Sequence, residues 1–246
     1  MLCGAACGAF ELACGAGFQA YLHAMENKTL PEIAQRRTDL LARLSDAADP
    51  PPVLVAVSKR QPEEKLEGAL AAGQRVFGEN RVQEAEAHWA SRRAAYPDLE
   101  LHLIGPLQTN KADEAVALFD VIETLDRPKL ARALAKSMEK LGRTPRLLVQ
   151  VNTGEEPQKA GVVPGELASL LSLAREECGL EVSGLMCIPP AEEPAAPHFA
   201  LLRRLADEHG LKTVSMGMSG DFELAARLGA THVRVGTGFF GAREMG

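Results

Sequence analysis

The sequence has few of the features that mark nucleic-acid-binding, membrane-spanning or disulfide-stabilised proteins. Its formal net charge is −6 at pH 7 and only 4% of its residues are aromatic, and no basic stripe interleaves with aromatic side chains. This excludes a protein that binds nucleic acid electrostatically. No apolar run is long enough to cross a membrane. The cysteines are odd in number and scattered, which argues against a disulfide framework and favours a reducing, cytoplasmic location. They are Cys3, Cys7, Cys14, Cys178 and Cys187.

The first 24 residues differ in composition from the rest of the chain. They are rich in Ala, Gly and Cys and lack the basic start of a secretory signal. Their cysteine spacing matches no common zinc pattern, so a metal or redox role is the weaker alternative and we expect no metal site. We predict that 1–24 is a poorly structured extension, or precedes a true start at Met25, and that 25–246 forms one domain.

Runs typical of strands alternate with runs typical of helices along the remaining sequence, which predicts a parallel sheet. Eight such units within about 200 residues favour a single closed (β/α)₈ TIM barrel, with a helix at 31–46 before the first strand. A doubly wound open sheet is the alternative, although no Gly-x-Gly-x-x-Gly follows the first strand. The predicted strands are 53–57, 75–77, 100–104, 121–124, 146–152, 181–186, 212–216 and 232–235. The predicted helices between them include 62–72, 127–141, 164–177, 197–209 and 220–228.

Lys59 closes the most apolar short run of the chain, VLVAVSK at 53–59. Such a run is typical of a strand buried on both faces, and its last residues emerge at the carboxyl end of the sheet, where ligand sites lie. Partly apolar surroundings lower an amine's pKa and favour the neutral nucleophile that forms Schiff bases with aldehydes. The alternative is a solvated lysine at the mouth of the strand.

Two glycine-containing turns follow the predicted seventh and eighth strands, SMGMSGD at 215–221 and VGTGFFG at 235–241. In barrels, these loops commonly form a phosphate-binding cup from backbone N–H groups, and Ser219 and Thr237 add hydroxyl donors. Arg234 alternates with two valines, so it points into the barrel if the valines face the helices. A ligand with an acceptor nitrogen or an acid would then satisfy it, or else an interior carboxylate would.

An amine, a phosphate cup and an inward arginine at one rim together predict a site for pyridoxal 5′-phosphate. The aldehyde of that cofactor suits Lys59, its phosphate suits the cup, and its ring nitrogen suits Arg234. An arginine at the ring nitrogen leaves it unprotonated, which makes the cofactor a weaker electron sink than an aspartate partner would.

The chain resembles the pyridoxal phosphate homeostasis proteins, the YggS/PROSC family, in motifs that follow one another from about residue 31 to 243. These are VAVSK, FGENRVQE, HLIGPLQTNK, QVNTGEEPQKAG, SGLMCIPP, SMGMSGDFELA and VRVGTGFFGAR. The resemblance implies a barrel of the alanine racemase type, in fold-type III of the pyridoxal phosphate proteins. Pro106 stands where many relatives have histidine, and no role is assigned to it.

The resemblance also implies roles for individual residues. Lys59 would form the Schiff base, and Asn80 and Arg234 would lie near the ring and its nitrogen. The phosphate would lie on Ser219, Gly236 and Thr237, beside Met218, and Lys159 would serve as a second lysine for cofactor exchange.

The resemblance implies a non-catalytic carrier of the cofactor with no catalytic residues. A racemase on this fold needs a second base opposite the lysine, usually a tyrosine, and the chain has only Tyr21 and Tyr96. We therefore expect a monomeric carrier that passes the cofactor to dependent apoenzymes. The alternatives are a pyridoxal phosphate-dependent racemase or lyase, and a barrel enzyme acting on another phosphorylated small molecule.

Overall fold

The computed structural model of the chain describes residues 29–242, which form a closed barrel of eight parallel strands. Each strand pairs with the next in sequence, and β1 pairs with β8 to close the barrel. The predicted barrel is confirmed, the open-sheet alternative is wrong, and every predicted strand matches within two residues at each end. The strands are β1 (Val53–Val57), β2 (Val76–Glu79), β3 (Glu100–Leu103), β4 (Val121–Leu125), β5 (Arg146–Val151), β6 (Val182–Cys187), β7 (Thr213–Ser215) and β8 (His232–Val235).

Helices connect the strands on the outside of the barrel. The predicted helix at 164–177 divides into a 3₁₀ turn (Pro164–Glu166), an α-helix and a π-helical turn (Leu173–Glu177). The α-helices are α1 (Thr29–Ala47), α2 (Glu63–Ala71), α3 (Val82–Trp89), α4 (Ala112–Leu118), α5 (Pro128–Leu141), α6 (Leu167–Ser172), α7 (Ala195–Glu208), α8 (Phe222–Arg227) and α9 (Thr237–Phe240). A 3₁₀ turn at Thr109–Lys111 precedes α4.

Helix α1 precedes the barrel in sequence and covers the flank between its first and last helices. It packs against α2, α8 and α9. Arg43 of α1 forms an ion pair of 2.9 Å with Glu223 of α8 and lies over the ring of Phe222 at 4.6 Å. The short α9 cannot cover this flank alone, so α1 closes the helical layer.

Alternating strand residues form two different interiors. Side chains that face the helices build a large apolar core, which includes Val233 and Val235 of β8. Side chains that face the barrel axis include a small apolar cluster of Val121, Leu148 and Met186, and Val55, which lies in register with Arg234. Much of the rest of the barrel interior is polar, and this polar column leads toward the carboxyl rim.

The predicted extension 1–24, with three of the cysteines and Tyr21, lies outside the described residues. Within residues 29–242, no helix combines the length and the apolar character that a membrane span needs.

Candidate functional site

All the sequence-predicted site residues except Arg234, which lies within β8, follow the carboxyl ends of barrel strands. Lys59 lies two residues after β1, and Asn80 directly follows β2. Gly236 and Thr237 directly follow β8. Because β1 lies between β2 and β8, these residues occupy neighbouring positions on one rim. Parallel strands place their carboxyl ends at the same edge, so the topology brings this part of the prediction together.

Lys159 occupies the same rim on the opposite side of the barrel. It follows β5, the strand four places from β1 in the closed order. Its Nζ pairs with Glu156 at 2.6 Å and donates a long hydrogen bond to the carbonyl of Pro189 at 3.5 Å. The loops that carry Lys159 and Lys59 therefore follow strands on opposite sides of the barrel.

A cavity of about 220 Å³ opens beside Lys59. Lys59, Arg60, Asn80, Arg81 and Glu84 line it. The side-chain oxygen of Asn80, Oδ1, is buried and has no hydrogen-bond partner. A buried acceptor without a donor is costly, so this oxygen fits a ligand that brings a hydroxyl or N–H group to the cavity.

Gly105 fixes the position of Asn80 from the neighbouring loop. A Cβ atom on Gly105 would lie 2.3 Å from the carbonyl oxygen of Asn80 and 2.8 Å from its Cα. Only glycine allows the loop after β3 to approach the backbone of Asn80 this closely. The loop after β3 therefore packs directly against the backbone of Asn80, which lines the cavity.

Two carboxylates hold the backbone on either side of Lys59. Ser58 Oγ donates to Glu79 Oε1 at 2.7 Å, and the backbone N–H of Arg60 donates to Glu84 Oε1. Glu79 Oε1 also accepts from the indole of Trp89 at 3.1 Å. Sequence reasoning did not identify Glu79 or Glu84, although both belong to the quoted FGENRVQE motif.

His88, Glu79 and Glu84 each offer one potential metal-ligand atom, and these three atoms lie within 4.8 Å of one another. The Nδ1 atom of His88 lies 2.9 Å from Glu79 Oε1, and this hydrogen bond raises the pKa of His88 against the opposing effect of its partial burial. A protonated imidazole donates to Glu79 and cannot bind a metal through that nitrogen. The geometry therefore favours a hydrogen-bonded cluster over a metal centre.

The loops after β7 and β8 meet at Ser219. Its Oγ lies 3.5 Å from Thr237 Oγ1 and accepts a hydrogen bond of 3.3 Å from the backbone N–H of Gly238. Gly217 has a φ of +91°, and a Cβ there would lie 2.5 Å from Ala225. Two hydroxyls and backbone N–H groups at the start of α9 provide the donors that a phosphate needs.

Met218 and Gly236 border the two loops. Met218 is 41% exposed, and its backbone N–H donates to Asp221 Oδ1 at 2.6 Å. A Cβ on Gly236 would make only ordinary contacts with Val57, at 3.6 Å or more. Both residues lie where the sequence expected them, at the edge of the predicted phosphate cup.

Arg234 points into the barrel and is only 3% exposed. Its Nη1 donates to Ser215 Oγ at 2.7 Å, and its Nη2 donates to the carbonyl of Cys187 at 2.8 Å. The nearest oxygen of Glu123 lies 3.8 Å from Nη1. The inward orientation of the Arg234 side chain was predicted from strand alternation. Glu123 is the interior carboxylate that the sequence analysis gave as the alternative partner to a ligand.

Glu123 connects Arg234 to a chain of polar groups that runs down the barrel axis. Its carboxylate accepts from Ser215 Oγ at 2.6 Å and lies 2.6 Å from His102 Nδ1, and His102 Nε2 lies 2.7 Å from Glu100. Burial opposes ionisation of Glu123, but the hydrogen bond from His102 and the charge of Arg234 lower its pKa to about 2. The same carboxylates outweigh the effect of burial and raise the pKa of His102. The guanidinium therefore belongs to an ionised network.

Comparison with known proteins identifies the family. The sequence family described as "Alanine racemase, N-terminal domain" matches residues 38–244. A "Pyridoxal phosphate homeostasis protein" of Pseudomonas aeruginosa is 41% identical over 228 residues, which cover 87% of this chain and 97% of that relative. The chain belongs to the pyridoxal phosphate homeostasis family. The resemblance seen in the sequence motifs is thus confirmed.

Solved structures agree with this family assignment. PipY of Synechococcus elongatus, in a structure with PLP bound, superimposes with a TM-score of 0.75 at 40% identity over 85% of this chain and all of that one. A protein of unknown function from Bifidobacterium adolescentis superimposes with a TM-score of 0.80 at 28% identity over 87% of this chain and 96% of that one. Both superpositions therefore span nearly the whole length of the solved chains.

Other candidate groups of this homeostasis-family chain lie at the amino end of the barrel, are buried, or are paired with a carboxylate. Tyr96 precedes β3 at the amino end of the barrel, where its ring lies under Arg75 at 4.9 Å. Cys187 is fully buried, and burial raises its pKa to about 12. His198 pairs with Glu193 at 3.1 Å. In the part of the chain that the structure describes, no tyrosine lies at the cofactor rim.

Proposed function

We propose that this protein binds pyridoxal 5′-phosphate as a Schiff base on Lys59 and acts in pyridoxal phosphate homeostasis as a carrier without catalytic activity. The observation that carries the proposal is the convergence on one rim of Lys59, the Ser219–Thr237 hydroxyl pair and the guanidinium of Arg234. The relative named for this role in Pseudomonas aeruginosa, at 41% identity, supports it.

The residues of the site match the functional groups of the cofactor. The amine of Lys59 would hold the cofactor through its aldehyde, as a Schiff base formed with loss of one water molecule. Asn80 offers its unpaired Oδ1 to a ring hydroxyl donor. Ser219, Thr237 and the N–H of Gly238 would hold the phosphate, with Gly236 and Met218 beside it.

Arg234 limits the chemistry that the site supports. Pyridoxal phosphate supplies an electron sink when its ring nitrogen is protonated. Ser215, Cys187 and Glu123 hold the guanidinium as a cation, and a guanidinium has no proton to give at ordinary pH. Arg234 would therefore donate a hydrogen bond to the nitrogen and leave it without a proton, which suits storage better than amino-acid turnover.

The proposed carrier role includes release of the cofactor and its transfer to recipient proteins. Lys159, in the loop after β5 on the other side of the barrel, would serve as a second, transient lysine during release of the cofactor. The recipients would be apoenzymes that depend on pyridoxal phosphate, and we expect the protein to act as a monomer. The scattered cysteines suit a cytoplasmic setting.

A racemase or lyase is the alternative function, and the match to the alanine racemase N-terminal domain favours it. Such an enzyme needs a second base opposite Lys59. Tyr96 lies at the amino end of the barrel, too far from the rim to act as that base.

Absorbance titration with pyridoxal phosphate tests the proposal. The wild-type protein should develop the visible Schiff-base band, and Lys59→Ala should not, although it should keep the fold. Lys159→Ala is the matched control and should keep the band. Assays of the loaded protein with a panel of amino acids should show no racemisation or decarboxylation. A wild-type protein that remains colourless with the cofactor would contradict the binding proposal, and turnover above about 1 s⁻¹ would favour the enzyme.

A further inference from the structure

Lys59 extends from a backbone that is held on both sides by carboxylates of a single segment. Ser58 donates to Glu79, and Arg60 donates to Glu84, through a side chain and a backbone N–H respectively. We propose that Glu79 and Glu84 are positioning residues that aim Lys59 at the aldehyde of the cofactor. This inference rests on the proposed function and deepens it.

Glu79 holds the residue before Lys59. Its carboxylate is fully buried between β2 and α3. One oxygen, Oε1, forms hydrogen bonds with Ser58 Oγ at 2.7 Å, His88 Nδ1 at 2.9 Å and Trp89 Nε1 at 3.1 Å. Ser58 is also fully buried, and its backbone N–H donates to the carbonyl of Gly78 at 3.0 Å. Side-chain and backbone bonds thus fix Ser58 to β2 at two points.

Glu84 holds the residue after Lys59. Arg60 has a φ of +57°, a left-handed conformation that residues other than glycine adopt rarely. Its N–H, directed by that conformation, donates to the Glu84 carboxylate at the first turn of α3. Without this acceptor, the backbone of Arg60 would return to a more favourable region, and the Cα–Cβ direction of Lys59 would change with it.

The two contacts act on Lys59 and leave the predicted phosphate cup untouched. Glu79 and Glu84 lie on the β2 side of β1, and the cup follows β7 and β8 on the other side. Both carboxylates flank Asn80 in sequence, so the lysine and the ring-facing amide are oriented by the same segment. A change in position of about 1 Å can lower a reaction rate a hundredfold. Loss of either contact should therefore slow covalent attachment and spare recognition of the phosphate.

Two phosphorylated forms of the vitamin allow covalent attachment to Lys59 to be measured separately from recognition of the phosphate. Pyridoxal 5′-phosphate carries the aldehyde, whereas pyridoxine 5′-phosphate carries an alcohol there and cannot form a Schiff base. Ser58→Ala and Glu84→Ala should each slow the appearance of the Schiff-base band by roughly ten- to a hundredfold. Their Kd for pyridoxine 5′-phosphate, measured by calorimetry, should stay within about twofold of wild type.

Glu84→Gln distinguishes position from charge. Glutamine loses the negative charge but keeps an oxygen that can accept from the N–H of Arg60, so its rate should return close to that of wild type. Glu86→Ala, an exposed site on the same helix, is the matched control for folding, and thermal unfolding of all variants should follow it. Ser58→Ala provides an independent route if Glu84→Ala does not fold.

Three results would overturn the inference. These are attachment at the wild-type rate in Ser58→Ala and Glu84→Ala, equal slowing in Glu84→Ala and Glu84→Gln, and a parallel loss of affinity for pyridoxine 5′-phosphate. Failure of the proposed function itself would look different, because the wild-type protein would then form no Schiff base.

Discussion

Arg234 of β8 and Glu123 of β4 lie on opposite strands of the barrel, 3.8 Å apart, and the hydroxyl of Ser215 bonds to both. This contact crosses the barrel axis just below the rim. It joins the group proposed to face the cofactor ring to the histidine and carboxylates at the amino end. The barrel interior is therefore a charged network as well as a packed core.

Removing the charge of Glu123 should destabilise the protein. Glu123→Gln leaves the buried guanidinium of Arg234 and the imidazole of His102 without their shared carboxylate, and breaking a buried ion pair typically costs about 3–5 kcal/mol. Ser215→Ala removes only the bridging hydroxyl and should cost about 1–3 kcal/mol. Urea denaturation measures both free energies of unfolding.

Glu67→Gln is the matched control for the network. Glu67 is also buried and pairs with Arg92, but in the helical layer outside the barrel. All three variants should lose stability, but only Glu123→Gln and Ser215→Ala should also change the position of the Schiff-base absorbance band. Wild-type stability in Glu123→Gln would refute the role assigned to this carboxylate.

The free energy of unfolding should fall as the pH drops from about 6.5 to about 4. Burial, with a smaller effect from the nearby charge of His102, lowers the pKa of His232 from 6.5 to about 4. In this window the unfolded chain takes up a proton that folded His232 does not, so acid favours unfolding, by on the order of 3 kcal/mol. The pKa of His102 is raised, so His102 affects stability above this window: the free energy of unfolding that it adds is lost as the pH increases through its folded-state pKa.

His232→Gln should flatten this part of the pH profile, measured by urea denaturation at intervals of pH. His209→Gln, at the end of α7 and outside the barrel interior, is the matched substitution. The carboxylates Glu100 and Glu123 affect stability only below about 4.5, since their folded-state pKa values are about 2. An unchanged slope in His232→Gln would show that another group titrates in this window.

Ser219 and Thr237 should discriminate between phosphorylated and unphosphorylated vitamers. A hydrogen bond to a charged group contributes about 1.5–3 kcal/mol, so Ser219→Ala or Thr237→Ala should weaken binding of pyridoxal phosphate by roughly tenfold to a hundredfold. Binding of pyridoxal, which lacks the phosphate, should change little. Titration of both vitamers checks this, and an equal loss for the two would place the phosphate elsewhere.

Much of the architecture could be predicted from local sequence. The strands are short apolar runs and the longer helices have regular apolar spacing, so the alternation alone predicted the barrel. Helices α3 and α4, of 8 and 7 residues, were not among the helices predicted by their bounds, although α8, of only 6 residues, was. Helices of about two turns show little apolar periodicity, so local spacing identifies some of them and misses others.

The site could be predicted only where chain position sets it. Lys59 and Thr237 lie two residues beyond β1 and β8, and the rule that ligands bind at the carboxyl ends was enough to group them, whereas Asn80 was predicted only from the family resemblance. Glu79 was not identified, because its role depends on pairing with Ser58 across two strands. Glu123 did leave a signal, since a carboxylate within the apolar strand VIETL must find a buried partner, but only the closed barrel shows that His102 and Arg234 are close enough.

Borohydride reduction followed by peptide mapping tests the central claim most directly. Reduction of the protein with bound pyridoxal phosphate makes the linkage permanent, and mass spectrometry then locates the modified lysine. We predict one principal adduct, on Lys59, in the peptide that follows β1. An adduct confined to Lys159 or to another lysine, or no adduct in a protein that binds the cofactor, would contradict the account.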